Sequence, residues 1–500
     1  MKPINSLLLL LVFSANAQAD QAVTLTGHNL TIKQTVRVAR DNATVFIPQA
    51  AMEKVQRSYD LLMLAACEGH KIYGITTGVG ENKDRPIHLE CGASGKPTEE
   101  DLKPSRKFNR TMLMAHSAAV GPSVSEAIIR ATMLVRLNGI LYGATGARPK
   151  VARLYQAFLN HRIHPVVPSR GSVGMADIII LPHIGLAMMG KGQVTYQGKL
   201  MTARDALARA GIRPLTPVGK DGLTITSSNA YSASHAALLI HDIETLLHKA
   251  DLVFALSLEG LNGNIAPLLD EVHQMRPYHG QGITAAAIRE LLAGSYLWQK
   301  DTIFEHRPLQ DALSFRDVSQ VHGATRDTLA FLKKQILVQI NASDDNPSVI
   351  LKPEPVPPFV LNPQAQAHQY YVVKDDVVHG MVSPSANFEP LQWVLPLQSV
   401  GVALSHVSRL SCYRMIKLGT EHFTGLTRFL SPEPEPQPGV TDQPDEPPPI
   451  IFGAIQKTCG ALDTENRALS NPVSVDFLSL AGDIEDHATN APSLLSHKLS

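Results

Sequence analysis

Three stretches of this chain carry side chains with chemistry to offer. The first is Gly171-Ser172-Val173-Gly174-Met175-Ala176-Asp177, followed by an apolar run from Ile178 to Met189 and by Gly190-Lys191-Gly192. This composition predicts a tight turn feeding a buried helix, with Asp177 as its N-cap. The second is Tyr73-Gly74-Ile75-Thr76-Thr77-Gly78-Val79-Gly80, a glycine-spaced loop with one tyrosine. It lacks the Lys-Ser/Thr ending of a phosphate loop and the spacing of a dinucleotide site. Its tyrosine is either a core residue or, with a cationic or helix-dipole environment to help it ionise, a base. The third is Gln456-Lys457-Thr458 in an apolar helical pattern. Lys457 either snorkels to solvent or faces a site, where Glu485 would be its proton-handling partner.

Other reactive residue types are less pointed. The 20 histidines are scattered, which suits surface and core positions better than a ligand set. The cysteines, Cys67, Cys91, Cys412 and Cys459, form no CxxC pair and no zinc spacing with histidine. Four scattered cysteines in a long chain do not read as a disulfide framework, and the apolar helical surroundings of Cys67 and Cys459 predict buried thiols.

Helices must position most of these groups. Helical periodicity runs through Tyr231–Leu261, Ile283–Leu292, Val318–Ile340, Leu391–Leu418 and Ile451–Ala468. In the first of these, Leu239, Ile243, Leu246, Leu247, Ala250 and Phe254 form a core stripe. Pro48 opens a further helix through Ala66. Residues 22–40 alternate around Gly27-His28-Asn29 and predict a hairpin, and Val194–Leu200 predicts a short strand pair around Gln197-Gly198. Glu81–Arg106 is polar and predicts a mobile loop or flap. The expected organisation is a signal peptide over 1–19, an N-terminal active-site domain over 20–225, and a helical bundle over 226–500 with a Pro-rich connector at 431–449. Periodicity alone gives a mostly α chain.

Composition excludes several partners. Lys plus Arg equals Asp plus Glu at 45 each, so neither nucleic acid nor an acidic membrane surface is implied. Lys2, the apolar run Leu7–Phe13 and small residues at Ala15, Ala17 and Ala19 form a secretory signal pattern. The run is too short to span a bilayer. The expected location is the periplasm or outside the cell.

The ordered motifs resemble one family, the histidine and aromatic amino-acid ammonia-lyases. They include the Tyr73 loop, Gly171–Gly174, Met114-Ala115-His116, Arg136 to Arg148, Leu256–Glu259, Arg276–Gln281, Gln310–Arg316, Asn341–Pro347, Asn387-Phe388-Glu389-Pro390, Glu465–Asp476 and Glu485-Asp486-His487. The resemblance implies a mostly α fold with a smaller mixed α+β N-terminal domain and a large antiparallel bundle, assembled as a homotetramer with sites shared between subunits. It also implies roles: Tyr73 as catalytic base, Arg316 as a bidentate grip on the substrate carboxylate, and Gln310, Asn346, His116 and Phe388 lining the site. Glu485 would stand near the amino group or ring.

The family's catalytic electrophile, a methylidene-imidazolone, forms from Ala-Ser-Gly after the GSVG turn. Met175-Ala176-Asp177 stands there instead, and the segment up to His183 is one residue shorter than the family pattern. Ala93-Ser94-Gly95 lacks both the turn and the following helix and reads as a chance tripeptide. Leu313 replaces a tyrosine that supports the electrophile, and either Ser227 or Asn229 takes the place of an asparagine beside it. The losses all fall on the electrophile's side. A quaternary amine leaves without an electrophile, because it is already charged. In this the chain resembles the family's electrophile-lacking subgroup, ergothionase, and the resemblance implies a carbon–nitrogen lyase that removes trimethylamine from ergothioneine or a related histidine betaine to give thiolurocanate. Tyr73 takes the β-proton, Asp177 supplies negative charge near the leaving group, Lys457 and Glu485 act on the ring, and no metal or organic cofactor is needed. The rival readings are an ordinary ammonia-lyase and an inactive exported binding protein.

Overall fold

The computed structural model describes residues 22–89, 91–92, 97–299, 309–353, 355–432, 451–472 and 484. The expected signal segment, the tripeptide Ala93-Ser94-Gly95, most of the Pro-rich connector and Glu485 lie outside the described residues. The described residues divide into two compact units, one drawing on 22–241 and 335–394, the other on 242–334 and 395–472.

The first unit mixes helices with four small sheets. Its helices include Gln49–Cys67, Lys103–His116, Glu126–Leu141 and Pro149–Asn160. Pro48 caps the first of these from an extended conformation, as its sequence position predicts. Gln193–Tyr196 and Lys199–Thr202 pair antiparallel across Gln197 and Gly198, both with positive φ, which is the expected tight hairpin. Ile163–Pro165 completes that sheet on the other side of Gln193–Tyr196. A second three-stranded sheet orders Ser348–Leu351, Val377–Ser383 and Tyr371–Lys374, all antiparallel. The core beneath it holds Leu61, Leu62, Ala65, Ile72, Ile75, Val349 and Val372.

The second unit is helical. Parts of Ala230–Leu261, Val318–Gln339 and Leu391–Leu418 enter it, with His279–Leu291 and Ile455–Leu469. Phe254, Leu258, Ile288, Leu292, Phe315, Val318 and Leu410 form its core. The five helices predicted from periodicity are therefore present, with ends displaced by a few residues. Among the described residues no helix is long and apolar enough to cross a membrane.

Four sequence expectations need correction. The hairpin over residues 22–40 does not form. Val23–Thr24 pairs in parallel with Val45–Phe46, and Ile32–Arg40 is helical. Thr31 and Gln34 make a capping box there, each side chain bonding the other's backbone N–H, and this local signal outweighs the alternation before it. The cysteines are not thiols. Cys67 bonds to Cys91 and Cys412 to Cys459, with Cα atoms 5.4 and 5.8 Å apart. The polar stretch after Gly80 is accordingly tied back at Cys91, and becomes helical again from Lys103. Finally, Leu246 leaves the predicted core stripe: it is exposed, whereas Leu239, Ile243, Leu247 and Phe254 are buried.

Candidate active site

The turn after Gly171 is held from inside by a carboxylate. Ala176 and Asp177 both adopt positive φ, at 62° and 41°. Such a pair of non-glycine residues persists only where surrounding bonds fix it. Here they do. Asp177 is fully buried. Its Oδ1 accepts from the Ser172 hydroxyl and the Ser232 hydroxyl, each at 2.6 Å, and its Oδ2 accepts from the Ser232 backbone N–H at 2.9 Å. Burial pushes the Asp177 carboxyl up to about 6, with the serine donors pulling the other way.

Two expectations for Asp177 are thereby corrected. It does not cap the following helix, which begins at Pro182 after Leu181. Nor does its carboxylate face a departing amine, because it is fully enclosed and spends both oxygens on the turn and the Ser232 backbone.

Asn229, not Ser227, is the side chain against this turn. Its Oδ1 accepts from Ala176 N–H at 2.9 Å, and its Nδ2 donates to the Phe388 carbonyl. The Asn229 N–H and the Ser228 hydroxyl both donate to Asp344 Oδ2, at 2.7 and 3.1 Å. The structure thus gathers Asp177, Asn229 and Phe388 into one bonded cluster. Neighbouring Asp345 receives Arg136 through both guanidinium nitrogens, at 3.0 and 3.1 Å, and Lys220 at 3.3 Å. Burial alone would raise the Asp345 carboxyl, but Arg136 and Lys220 outweigh it and hold the group below the usual range. Ser172, Ser232, Asp344 and Lys220 were missed as site supports. The available signal was Arg136 in an apolar helix, which requires a buried acid, and the Asp344-Asp345 pair that provides it.

Tyr73 sits half-buried in a loop that only glycine permits. Gly74 has φ +73°, and a Cβ on it would lie 2.6 Å from the Leu223 side chain. A Cβ on Gly78 would lie 2.4 Å from the Asn82 carbonyl oxygen. The close turn brings the Gly80 N–H to the Tyr73 phenol oxygen at 2.8 Å. A backbone donor aimed at that oxygen stabilises negative charge developing on it, as a phenol acting as base requires.

The remaining expected residues fall as follows. His116, at the end of Lys103–His116, is half-buried and donates from Nδ1 to the Met112 carbonyl at 2.9 Å. Asn346 accepts from the Ser385 N–H at 3.0 Å through Oδ1. In the second unit, Arg316 donates to the Gln310 side-chain oxygen, so these two expected substrate ligands are neighbours. Arg316 is half-buried and Gln310 exposed. Lys457 is exposed on Ile455–Leu469. Among the described residues no cluster of three His, Cys, Asp or Glu is placed to hold a metal ion.

A methylidene-imidazolone does not fit this turn. Positions 175–177 are Met, Ala and Asp, with no serine to dehydrate. The nearest hydroxyl, Ser172, is engaged by Asp177, and the backbone N–H of Ala176 is held by Asn229.

The chain matches the family model described as aromatic amino acid lyase over residues 30–497. Histidine ammonia-lyase of Treponema denticola is 32% identical over 469 residues, covering 93% of this chain and 82% of that protein. Among solved structures, ergothionase from Treponema denticola, in complex with desmethyl-ergothioneine sulfonic acid, superposes with a TM-score of 0.81 at 37% identity, covering 96% of this chain and 85% of the other. Tyrosine aminomutase from Streptomyces globisporus gives a TM-score of 0.77 at 26% identity, covering 96% and 84%.

Proposed function

Because this chain belongs to the aromatic amino acid lyase family, and is a carbon–nitrogen lyase, we propose that it eliminates trimethylamine from ergothioneine or a related histidine betaine. The observation that carries this reading is the turn at 174–177, where a buried carboxylate and no serine stand in the electrophile's place. Ammonia departs poorly and needs an electrophile. A trimethylammonium group carries its positive charge already and has no lone pair with which to attack one. The likeness to ergothionase supports the same substrate class.

In the proposed reaction the Tyr73 phenolate removes the β-proton of the substrate. The electrons of that C–H bond form the α,β double bond, the Cα–N bond breaks, and neutral trimethylamine leaves with thiolurocanate as the other product. Gly80 N–H supports the phenolate. Arg316, with Gln310 beside it, binds the carboxylate bidentately. His116, Asn346 and Phe388 line the pocket, and Lys457 and Glu485 polarise the imidazole-thione ring. Protein export is part of this reading and is supported by the two disulfides, which persist in oxidising compartments. So is a homotetramer, supported by exposed Leu246, Val253, Leu256, Phe331 and Val402 on the helical unit.

The test measures trimethylamine and ammonia released by the purified protein from ergothioneine and from histidine. Trimethylamine from ergothioneine is the expected product. Faster ammonia release from histidine would overturn the assignment and return the chain to the ammonia-lyases proper.

A further inference from the structure

The segment that carries Tyr73 is closed into a ring by a bond outside the candidate site. It leaves the end of Gln49–Cys67, a helix rooted in the core through Leu61, Leu62, Ala65 and Ala66. Ile72 and Ile75, on either side of Tyr73, enter the same core. The chain then turns back. Gly74 N–H donates to the Gly78 carbonyl, Gly78 N–H to the Arg85 carbonyl and Ile87 N–H to the Thr76 carbonyl, so residues 85–87 run alongside the tyrosine's own turn. An isolated bridge pairs Thr77 with Pro86. Leu89 packs on the core, and Cys91 bonds to Cys67, the residue where the helix ended.

The returning leg has few anchors of its own. Its backbone bonds run to residues 76 and 78, which belong to the loop it is meant to hold. Glu81, Asn82, Lys83, Asp84 and Arg85 form an exposed to half-buried turn. Besides the packing of Leu89, the bond to Cys67 is what ties this leg to the rigid helix.

We propose that the Cys67–Cys91 disulfide is the positioning element of the catalytic loop: it holds residues 78–87 against Tyr73, and with them the Gly80 N–H on the phenol oxygen. The protein is thereby tuned to an oxidising compartment. Reduction by a dithiol such as dithiothreitol breaks the sulfur–sulfur bond. The two cysteines take up two electrons and two protons, and the dithiol becomes its cyclic disulfide. The loop then opens without loss of the fold, because the core beneath it does not depend on the leg beyond Leu89. The effect on turnover rests on the reading of Tyr73 as base; the effect on loop order does not.

Two measurements are made on the full chain, with Cys67→Ser/Cys91→Ser compared to Cys412→Ser/Cys459→Ser. Amide exchange across 78–89 should be faster in the first variant only. Trimethylamine release should fall at least roughly tenfold in kcat, since a small misplacement of a base is costly. KM should stay within about twofold, because the carboxylate grip is untouched. If the first variant does not fold, reversible reduction and reoxidation of Cys412→Ser/Cys459→Ser, in which only Cys67–Cys91 remains, gives the same readouts. Unchanged exchange, or kcat within about twofold of wild type, overturns the proposal. A wild type that releases no trimethylamine sinks the proposed function instead, and leaves the clamp to be judged on exchange alone.

Discussion

Two sets of the residues expected to do chemistry are built on opposite principles. Around Asp177 the chain satisfies itself: the carboxylate, Asn229, Ser228, Asp344 and the Arg136–Asp345–Lys220 group are buried, and their polar atoms bond to one another. Arg316, bonded to Gln310, and Lys457 are placed differently. Lys457 and Gln310 are exposed, and Gln310 is flanked by Leu309 at 89% exposure, with Leu313 nearby at 61%. In the tetramer proposed above, Leu309 and Leu313 would be covered by another subunit. The first region is finished within one chain. The second would be completed only in the proposed tetramer.

Substitutions can break this contrast. The largest effect is expected from Asp177→Ala. It strips three donors of their buried acceptor and should cost about 3 kcal/mol of stability, read as a fall in the denaturant midpoint. An unchanged midpoint would mean that the network does not hold the turn. Tyr73→Phe should be nearly as large but on rate alone. At least roughly a hundredfold loss in kcat, about 2.7 kcal/mol, is expected with thermal stability and KM close to wild type. A fully active phenylalanine variant would remove the tyrosine from the mechanism.

Arg316→Lys keeps the charge but loses the fork. A rise of about tenfold in KM is expected, with little change in kcat and none in stability. The next effect is read through pH. The folded Asp177 carboxyl titrates at about 6, against about 3.9 when unfolded. The folded state therefore binds more protons between these values. The group's contribution is fullest below the unfolded value and is lost as pH rises through about 6. Relative to Asp177→Asn, the wild type should gain about 1 kcal/mol of stability between pH 7 and pH 5. A parallel pH dependence in the two proteins would contradict that assignment. Lys457→Met is the smallest perturbation to the fold, within about 0.5 kcal/mol as for an exposed position. Its turnover of ergothioneine should nonetheless fall. Unchanged turnover would make Lys457 an ordinary surface residue.

Much of the scaffold was legible. Five long helices announced themselves by apolar spacing, and the glycine loop and turn by composition. What could not be read was pairing across the chain. Cys67 and Cys91 are 24 residues apart, and Cys412 and Cys459 are 47 apart, with nothing local to show that the fold brings them together. Asp177 looked like an N-cap because a cap is the commonest local use of an aspartate before an apolar run. Its donors are Ser172, five residues before it, and Ser232, 55 residues on. Ser227 and Asn229 could be separated only by geometry, since both stand beside the same short helix, Asp221–Thr226. Conversely the capping box at Thr31 was local and available, and was hidden by a plausible alternation just before it.

The buried carboxylate also bears on how such a turn could change over generations. A serine placed at position 176 would stand at φ +62° with Asp177, not glycine, after it. No ring could close there while that aspartate remained. Removing the aspartate first would leave Ser172 and Ser232 without their acceptor. Inserting the missing residue first would pull Ala176 away from Asn229. Each single step back toward a self-made electrophile passes through a less stable protein that still lacks it. The turn therefore acts as a ratchet: a lineage that acquires this arrangement does not regain a self-made electrophile by any one change.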